Sequence, residues 1–142
     1  RVVVVLAAGG VFEFLLDTGQ IVALVFQFLL PANNLFQFAL QILADAVEIQ
    51  DAGASLLVLE CIPSHLATDI SRKLDIPVIG IGAGPGTDAQ VLVMHDLLGL
   101  SPHTPRFVHN FMDGQSTIQG ALKAFVDAVK AGAYPRDEHS YS

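Results

Sequence analysis

Short apolar runs alternate with longer stretches of helical period along this chain. Val2–Leu6 (VVVVL) is β-branched and continuous, as expected of a strand covered on both faces. Gly9-Gly10 breaks it, and Val11–Gly19 reads as a short helix. Ile21–Val25 is a second strand. Leu35–Asp51 then shows helical spacing, with Leu35, Ala39, Ile42, Ala46 and Ile49 on one stripe and Asp45 and Glu48 off it. Gly53 suits its C-terminal stop. Ser55–Glu60 (SLLVLE) is the third strand, and Pro63 opens a helix whose Leu66, Ile70 and Leu74 share a face. Arg72 and Lys73 stand near the negative end of that helix. Pro77–Ile81 (PVIGI) is the fourth strand and Val91–Met94 the fifth. The last helix has Ser116 and Gln119 in a capping-box pattern, an apolar stripe at Ile118, Leu122, Phe125 and Val129, and stops at Gly132 and Pro135.

Strands and helices alternating in this way predict an α/β fold of parallel βα units, with residues 1–142 forming one unit without internal repeat or linker. Such units fit an open doubly wound sheet or part of a (βα)8 barrel. A complete barrel takes about 250 residues. Part of one leaves two strand edges unpaired and one face of the sheet uncovered.

Composition sharpens this picture. Apolar types make up 52% of the 142 residues and charged types 15%, enough apolar material for a packed core and too much for a disordered chain. The apolar residues are unevenly spread: 33 of them fall in the first fifty positions. Ile21–Ala44 carries no charge and has the length of a membrane span, but Gln27, Pro31, Asn33, Asn34, Gln37 and Gln41 interrupt it and no basic flank marks an orientation. A buried segment is expected there, and no membrane partner. The start lacks the order of a secretory leader. A formal net charge of −7 argues against nucleic acid, whose phosphates are bound through Lys and Arg. The single cysteine, Cys61, excludes an internal disulfide and fits a reducing, cytoplasmic setting.

Glu60 is the first candidate for chemistry. It ends an apolar strand at the carboxyl edge, where parallel α/β architectures build their sites. Apolar neighbours raise a carboxyl pKa toward the range of a general base. The alternative is a strand-end glutamate facing solvent. Gly80, Gly82, Gly84 and Gly86 follow a strand, so their amides are placed to meet an anion. No Gly-Lys-Ser/Thr follows, and Pro85 or Thr87 stands where a dinucleotide fingerprint needs its last glycine. A tight turn with positive φ is the competing reading. His95-Asp96 would point to opposite faces of a strand. His65 and Asp69 share a helix face, as two metal ligands or a solvated pair. His103, His109 and His139 carry no spacing signal, and neither HExxH nor paired CxxC is present.

At Leu57–Pro63 (LVLECIP), Ile76–Gln90 (IPVIGIGAGPGTDAQ) and Val91–Gly99 (VLVMHDLLG) the sequence resembles the ketopantoate hydroxymethyltransferase family. The similarity continues through Pro105–Met112 (PRFVHNFM) to Ala133–Tyr141 (AYPRDEHSY), and is dense from about Asp45 onward. The resemblance implies a (βα)8 barrel, of which this chain would supply strands 4–8, its C-terminal half. It also implies transfer of a hydroxymethyl group from 5,10-methylenetetrahydrofolate to the α-keto acid 3-methyl-2-oxobutanoate, in pantothenate synthesis, by a homo-oligomeric enzyme. Mg2+ would hold the keto acid, and Glu60 matches the family's general base.

Residues 1–44 match poorly. The family's Lys-Leu-Glu-Gly-Gly pattern falls on Val5, Leu6, Ala7, Ala8 and Gly9, so Val5 stands at the substrate-binding lysine and Ala7 at the metal-binding glutamate. Neither side chain binds a carboxylate or a cation. The family's two metal-binding aspartates precede this region and have no counterpart in the sequence. Gln27 stands near a family histidine, a polar glycine-rich loop is missing between Phe36 and Leu40, and Ala89 replaces a usual glycine. The chain alone is therefore expected to lack metal-assisted activity, because a base without its cation leaves developing enolate charge uncompensated. The alternative expectation is a non-catalytic half-barrel that associates through its exposed edges.

Overall fold

The computed structural model describes residues 22–25 and 35–142, with side chains from residue 39 onward. The predicted strand Val2–Leu6 and helix Val11–Gly19, together with Val5, Ala7 and Gln27, lie outside the described residues. Strands β1 (Val22–Val25), β2 (Leu57–Glu60), β3 (Val78–Ile81) and β4 (Ala89–Gln90) form a sheet in the order β1-β2-β3-β4, every neighbour parallel. Helix α1 (Leu35–Asp51) links β1 to β2, and α2 (Ser64–Lys73) links β2 to β3. The register aligns Val25, Glu60 and Ile81 across three strands.

This topology separates the two sheet architectures left open by the sequence. A doubly wound sheet reverses its strand order at a switch point and carries helices on both faces. Here the order is strictly sequential, and both crossover helices cover one face. Ile42 and Ala46 of α1, with Leu66, Ala67 and Ile70 of α2, pack on Leu57, Leu59 and Val78 in one core cluster. Successive strand residues point to opposite faces. The residues between these, Val58, Glu60 and Ile79, therefore point away from the helices, and they are only half-buried. Parallel strands are ordinarily covered on both sides. On the face turned away from the helices Ile81, beside Glu60 in the register, is buried in a second core cluster, and Val58 packs against it. The strictly sequential parallel order is consistent with part of a (βα)8 barrel.

Local sequence explains most element boundaries. Gly53, with φ of 99°, and Gly132, with φ of 66°, end α1 and the last helix, α4 (Ile118–Lys130), in the left-handed region that an L side chain avoids. Pro63 takes the N-cap position of α2, one residue earlier than the first helical position, and Arg72 and Lys73 occupy its last turn. No helix among the described residues is long and apolar enough to cross a membrane, and α1 takes up only the end of the uncharged Ile21–Ala44 stretch.

Two elements differ from the sequence pattern. Val91–Met94 is not a strand. The ladder to β3 ends where Val91 N–H donates to the Gly80 carbonyl at 3.0 Å, and the chain turns into the four-residue helix α3 (Met94–Leu97). Leu92 and Leu97 bury themselves from that turn in a second core cluster with Ile81, Phe107, Phe111, Ala121 and Tyr134. A short apolar run serves a buried turn as well as a strand, and periodicity cannot separate them.

The second difference is in α4. Thr117, not Ser116, is its N-cap: Thr117 Oγ1 accepts from Gly120 N–H at 3.0 Å, so Gln119 is not in capping-box register. Ile118 is 51% and Leu122 36% exposed. The buried face runs instead through Ala121, Ala124, Phe125, Ala128 and Val129. Three alanines, too small to dominate the pattern, allow close approach to Phe111 and Tyr134.

Large-to-small substitution at Ile70, 0% exposed in the first cluster, should cost about 2–5 kcal/mol. Leu122→Ala on the outer face of α4 should change stability by no more than about 0.5 kcal/mol. Urea midpoints of the two variants check both, and equal losses would contradict the assigned face of α4.

Candidate active site

Glu60 is the last residue of β2, at the carboxyl edge of the sheet and on the face turned away from α1 and α2. Apolar Leu57–Leu59 make the strand, and the alternation that buries Leu57 and Leu59 under the helices puts Glu60 on the opposite face. The half-buried carboxyl has no hydrogen-bond or ion-pair partner among the described residues. Burial alone pushes its pKa above the ordinary glutamate value, because desolvation penalises the charged form.

The residue after it makes the rim. Cys61 has φ of 54°, a left-handed conformation that costs an L residue roughly 1–2 kcal/mol. Its N–H donates to the Ile81 carbonyl at 2.9 Å, tying the end of β2 to β3. Burial first, and the neighbouring Glu60 charge second, push the Cys61 thiol up to about 11. A thiol with that pKa carries little thiolate near neutrality, so the structure gives no support to a nucleophilic role.

The glycine run is close-packed. Gly82 and Gly84 have positive φ, at 62° and 76°, so two of the four positions answer to backbone conformation. A side chain at Gly82 would lie 2.6 Å from the Phe107 ring, and one at Gly80 would lie 2.7 Å from Thr87 Oγ1. Side chains at Gly84 and Gly86 would collide with Ser64 and Thr68 at the start of α2. Gln90 Nε2 fastens the loop by donating to the Gly84 carbonyl at 3.0 Å and to Thr87 Oγ1 at 2.9 Å. Space at all four positions is thus taken by the protein's own groups. The run is a tight turn against α2 and Phe107.

The remaining sequence candidates do not assemble with Glu60. His65 and Asp69 are both exposed on α2, and no group of three metal-ligating side chains exists among the described residues. His95 and Asp96 fall on α3, and Asp96 accepts from Ser101 Oγ. His103 is exposed. His109 packs edge-on against Phe111, and His139 against Tyr134, at centroid separations of 4.8 and 5.0 Å. Burial, offset in part by Glu138, holds the His139 pKa below the ordinary value, with His109 and Arg136 pushing the same way as burial.

Sequence reading passed over the aromatic tail. Tyr134 is buried and donates its hydroxyl to the Phe107 carbonyl at 2.6 Å, fixing the segment that fills the space at Gly82. The signal was two tyrosines in an otherwise polar ending, too weak to interpret without the fold.

Two measurements check this site. Because the folded Glu60 pKa lies above its unfolded value, the folded state binds the proton more tightly. The native state is then favoured relative to the unfolded chain at pH below the ordinary glutamate pKa of 4.5, and that advantage is lost as pH rises through the folded pKa. Glu60→Gln should therefore raise Tm at neutral pH, with the gain disappearing in acid; a lowered Tm at neutral pH would mean that the carboxylate has a stabilising partner. Gly82→Ala should cost about 2–4 kcal/mol from combined strain and overlap with Phe107, against roughly 1 kcal/mol for Gly132→Ala, which meets open space. Chemical denaturation compares them.

Comparison with known proteins accounts for this arrangement. Residues 33–137 match the family model for ketopantoate hydroxymethyltransferase, a span that includes α1 and begins earlier than the dense resemblance from Asp45. The chain is 57% identical over 106 residues to 3-methyl-2-oxobutanoate hydroxymethyltransferase of Pseudomonas fluorescens (strain Pf0-1), covering 73% of this chain and 40% of that protein. It is also 57% identical over 105 residues to the protein of the same name from Ralstonia pickettii (strain 12J), covering 73% and 39%. The chain thus spans about 40% of the length of the curated relatives it matches. On this evidence the chain belongs to the ketopantoate hydroxymethyltransferase family.

Proposed function

We propose that this chain carries the general base of a hydroxymethyl transfer to an α-keto acid, and that the base is Glu60. The observation that supports this is a half-buried carboxyl, without a partner among the described residues and with a raised pKa, at the carboxyl edge of a parallel sheet on the face turned away from α1 and α2. Such a group takes a proton from carbon more readily than an exposed glutamate, since its conjugate acid is the stabler form. In this reading Glu60 removes the proton beside the ketone of 3-methyl-2-oxobutanoate. 5,10-Methylenetetrahydrofolate would supply the one-carbon unit: the enolate carbon would form the new carbon–carbon bond, water would supply the hydroxyl, and tetrahydrofolate would leave. The strands β1–β4 then correspond to the last four of an eight-stranded barrel.

The described residues of this chain do not fit a Mg2+ site. The described residues hold no group of three ligands, and Val5 and Ala7 cannot ligate. In this proposal the ion belongs with the part of the relatives that this chain does not span, and the chain alone is inactive.

A second reading, a non-catalytic half-barrel that pairs with a second copy, is favoured by the half-buried Ile79 on the face turned away from α1 and α2. Sedimentation separates the two: a stable dimer without added partner supports it, and a monomer contradicts it.

The test of the first reading is complementation. The chain mixed with the segment of a relative that precedes the matched part should form product from keto acid, Mg2+ and folate donor, whereas the chain alone should form none. Glu60→Gln in the complemented enzyme should lower kcat by about 10²–10⁴-fold. Its rate should fall in acid along a limb lying above the ordinary glutamate range. Undiminished turnover by Glu60→Gln would contradict the assignment.

A further inference from the structure

The end of the chain returns to the edge that carries Glu60. A single 3-10 turn at Asp137–His139 redirects it. Arg136 N–H donates to His139 Nδ1 at 3.1 Å, and Ser140 Oγ donates to the Arg136 carbonyl at 3.0 Å. Beyond this turn the Tyr141 carbonyl accepts from Ser64 N–H at 2.9 Å. That amide is the first of α2, four residues after Glu60.

Tyr141 is held from its other side by two residues of the segment that follows α3. Its ring lies edge-on to Phe107 with centroids 6.3 Å apart, and the Arg106 guanidinium stands 5.8 Å from its centroid. The same guanidinium donates to the Glu138 carbonyl, at 3.3 Å through one nitrogen and 3.4 Å through another. Ser140 Oγ also borders the space beside Gly84, so the tail meets the glycine turn as well.

Between Glu60 and α2 the chain is therefore a short bridge fastened at both ends. Cys61 N–H is bound to Ile81, and Ser64 N–H to Tyr141. Cys61 between them keeps a left-handed backbone, which an L residue holds only where its surroundings fix it. The second fastening therefore holds the far end of the bridge that begins at Cys61, the residue next to Glu60.

We propose that Tyr141 is a positioning residue for Glu60: the turn Arg136–Tyr141, clamped by Arg106 and Phe107, holds the Cys61–Ser64 bridge that fixes the Glu60 carboxyl on the inward rim. Its mechanistic meaning rests on the reading of Glu60 as the base. The electrostatics agree with the placement. Burial raises the Tyr141 hydroxyl pKa, the Cys61 thiol adds to the rise, and Arg106 opposes it, so the three groups lie within reach of one another's charge.

Three variants of the chain test this: Arg106→Ala, which loosens the clamp from the exposed surface; Tyr141→Ala, which removes the ring that Phe107 and Arg106 hold while keeping the backbone carbonyl; and Tyr141→Phe, which keeps the ring. The readouts are the Glu60 carboxyl titration by carbon NMR and the rate of Cys61 alkylation by iodoacetamide, neither of which needs turnover. In Arg106→Ala and Tyr141→Ala, Glu60 should titrate closer to free glutamate. Cys61 should react about ten-fold faster near pH 8, as a one-unit fall in thiol pKa would give. Tyr141→Phe should match the unsubstituted chain in both. Thermal melts establish which variants are folded, and Arg106→Ala carries the test if Tyr141→Ala is not. An unchanged Glu60 titration in folded Arg106→Ala overturns the proposal, even with faster alkylation, since the tail then only covers the thiol. Failure of the base reading is seen separately, as undiminished turnover by complemented Glu60→Gln.

Discussion

A carboxyl group held half-buried, with no counter-ion among the described residues, is the constraint on which this structure turns. Strand β2 is apolar up to its last residue, and its alternation is fixed by Leu57 and Leu59 beneath α1 and α2. A slip of one residue would expose both leucines and bury Glu60 under the helices, so the core enforces the orientation of the acid. Its desolvation follows from that placement, and the raised pKa follows from the desolvation. Beside it on the same face Ile81 is buried in the second core cluster, and Val58 packs against that cluster.

The rim is built by packing, with few polar contacts. Gly80, Gly82, Gly84 and Gly86 let the β3–β4 turn lie against Thr87, Phe107, Ser64 and Thr68. Phe107 is in turn held by Tyr134 and met by Tyr141. The glycine turn, the segment after α3 and the C-terminal tail thus meet at the strand end beside Glu60. The family pattern extends over all three, in IGIGAGPGTDAQ, PRFVHNFM and AYPRDEHSY.

Much of this was legible from the chain. The helix at Leu35–Asp51 and the strand cores at 57–60 and 78–81 follow from strong periodicity and clear breakers. Glu60 was visible because a lone acid ending an apolar strand is unusual. Val91–Met94 was misread because four apolar residues fit a buried turn as well as a strand. In α4 the large residues Ile118 and Leu122 outweighed the alanines that face the core. The tail's part in the site was not legible. It depends on a backbone carbonyl, that of Tyr141, reaching Ser64 across 77 positions of sequence, and main-chain acceptors leave no mark in composition. Strand order was also beyond the pattern: sequential and doubly wound sheets share the same alternation of elements, and only the pairing tells them apart.

The role proposed for Glu60 is one elementary act, the removal of a proton from carbon. That act can be observed without the folate donor, as exchange of the hydrogen beside the ketone of 3-methyl-2-oxobutanoate in deuterated water, catalysed by the chain complemented with the missing part of a relative. The account predicts deuterium incorporation with Glu60 in place and its loss in Glu60→Gln. Equal incorporation by both would show that another group takes the proton, and would contradict it.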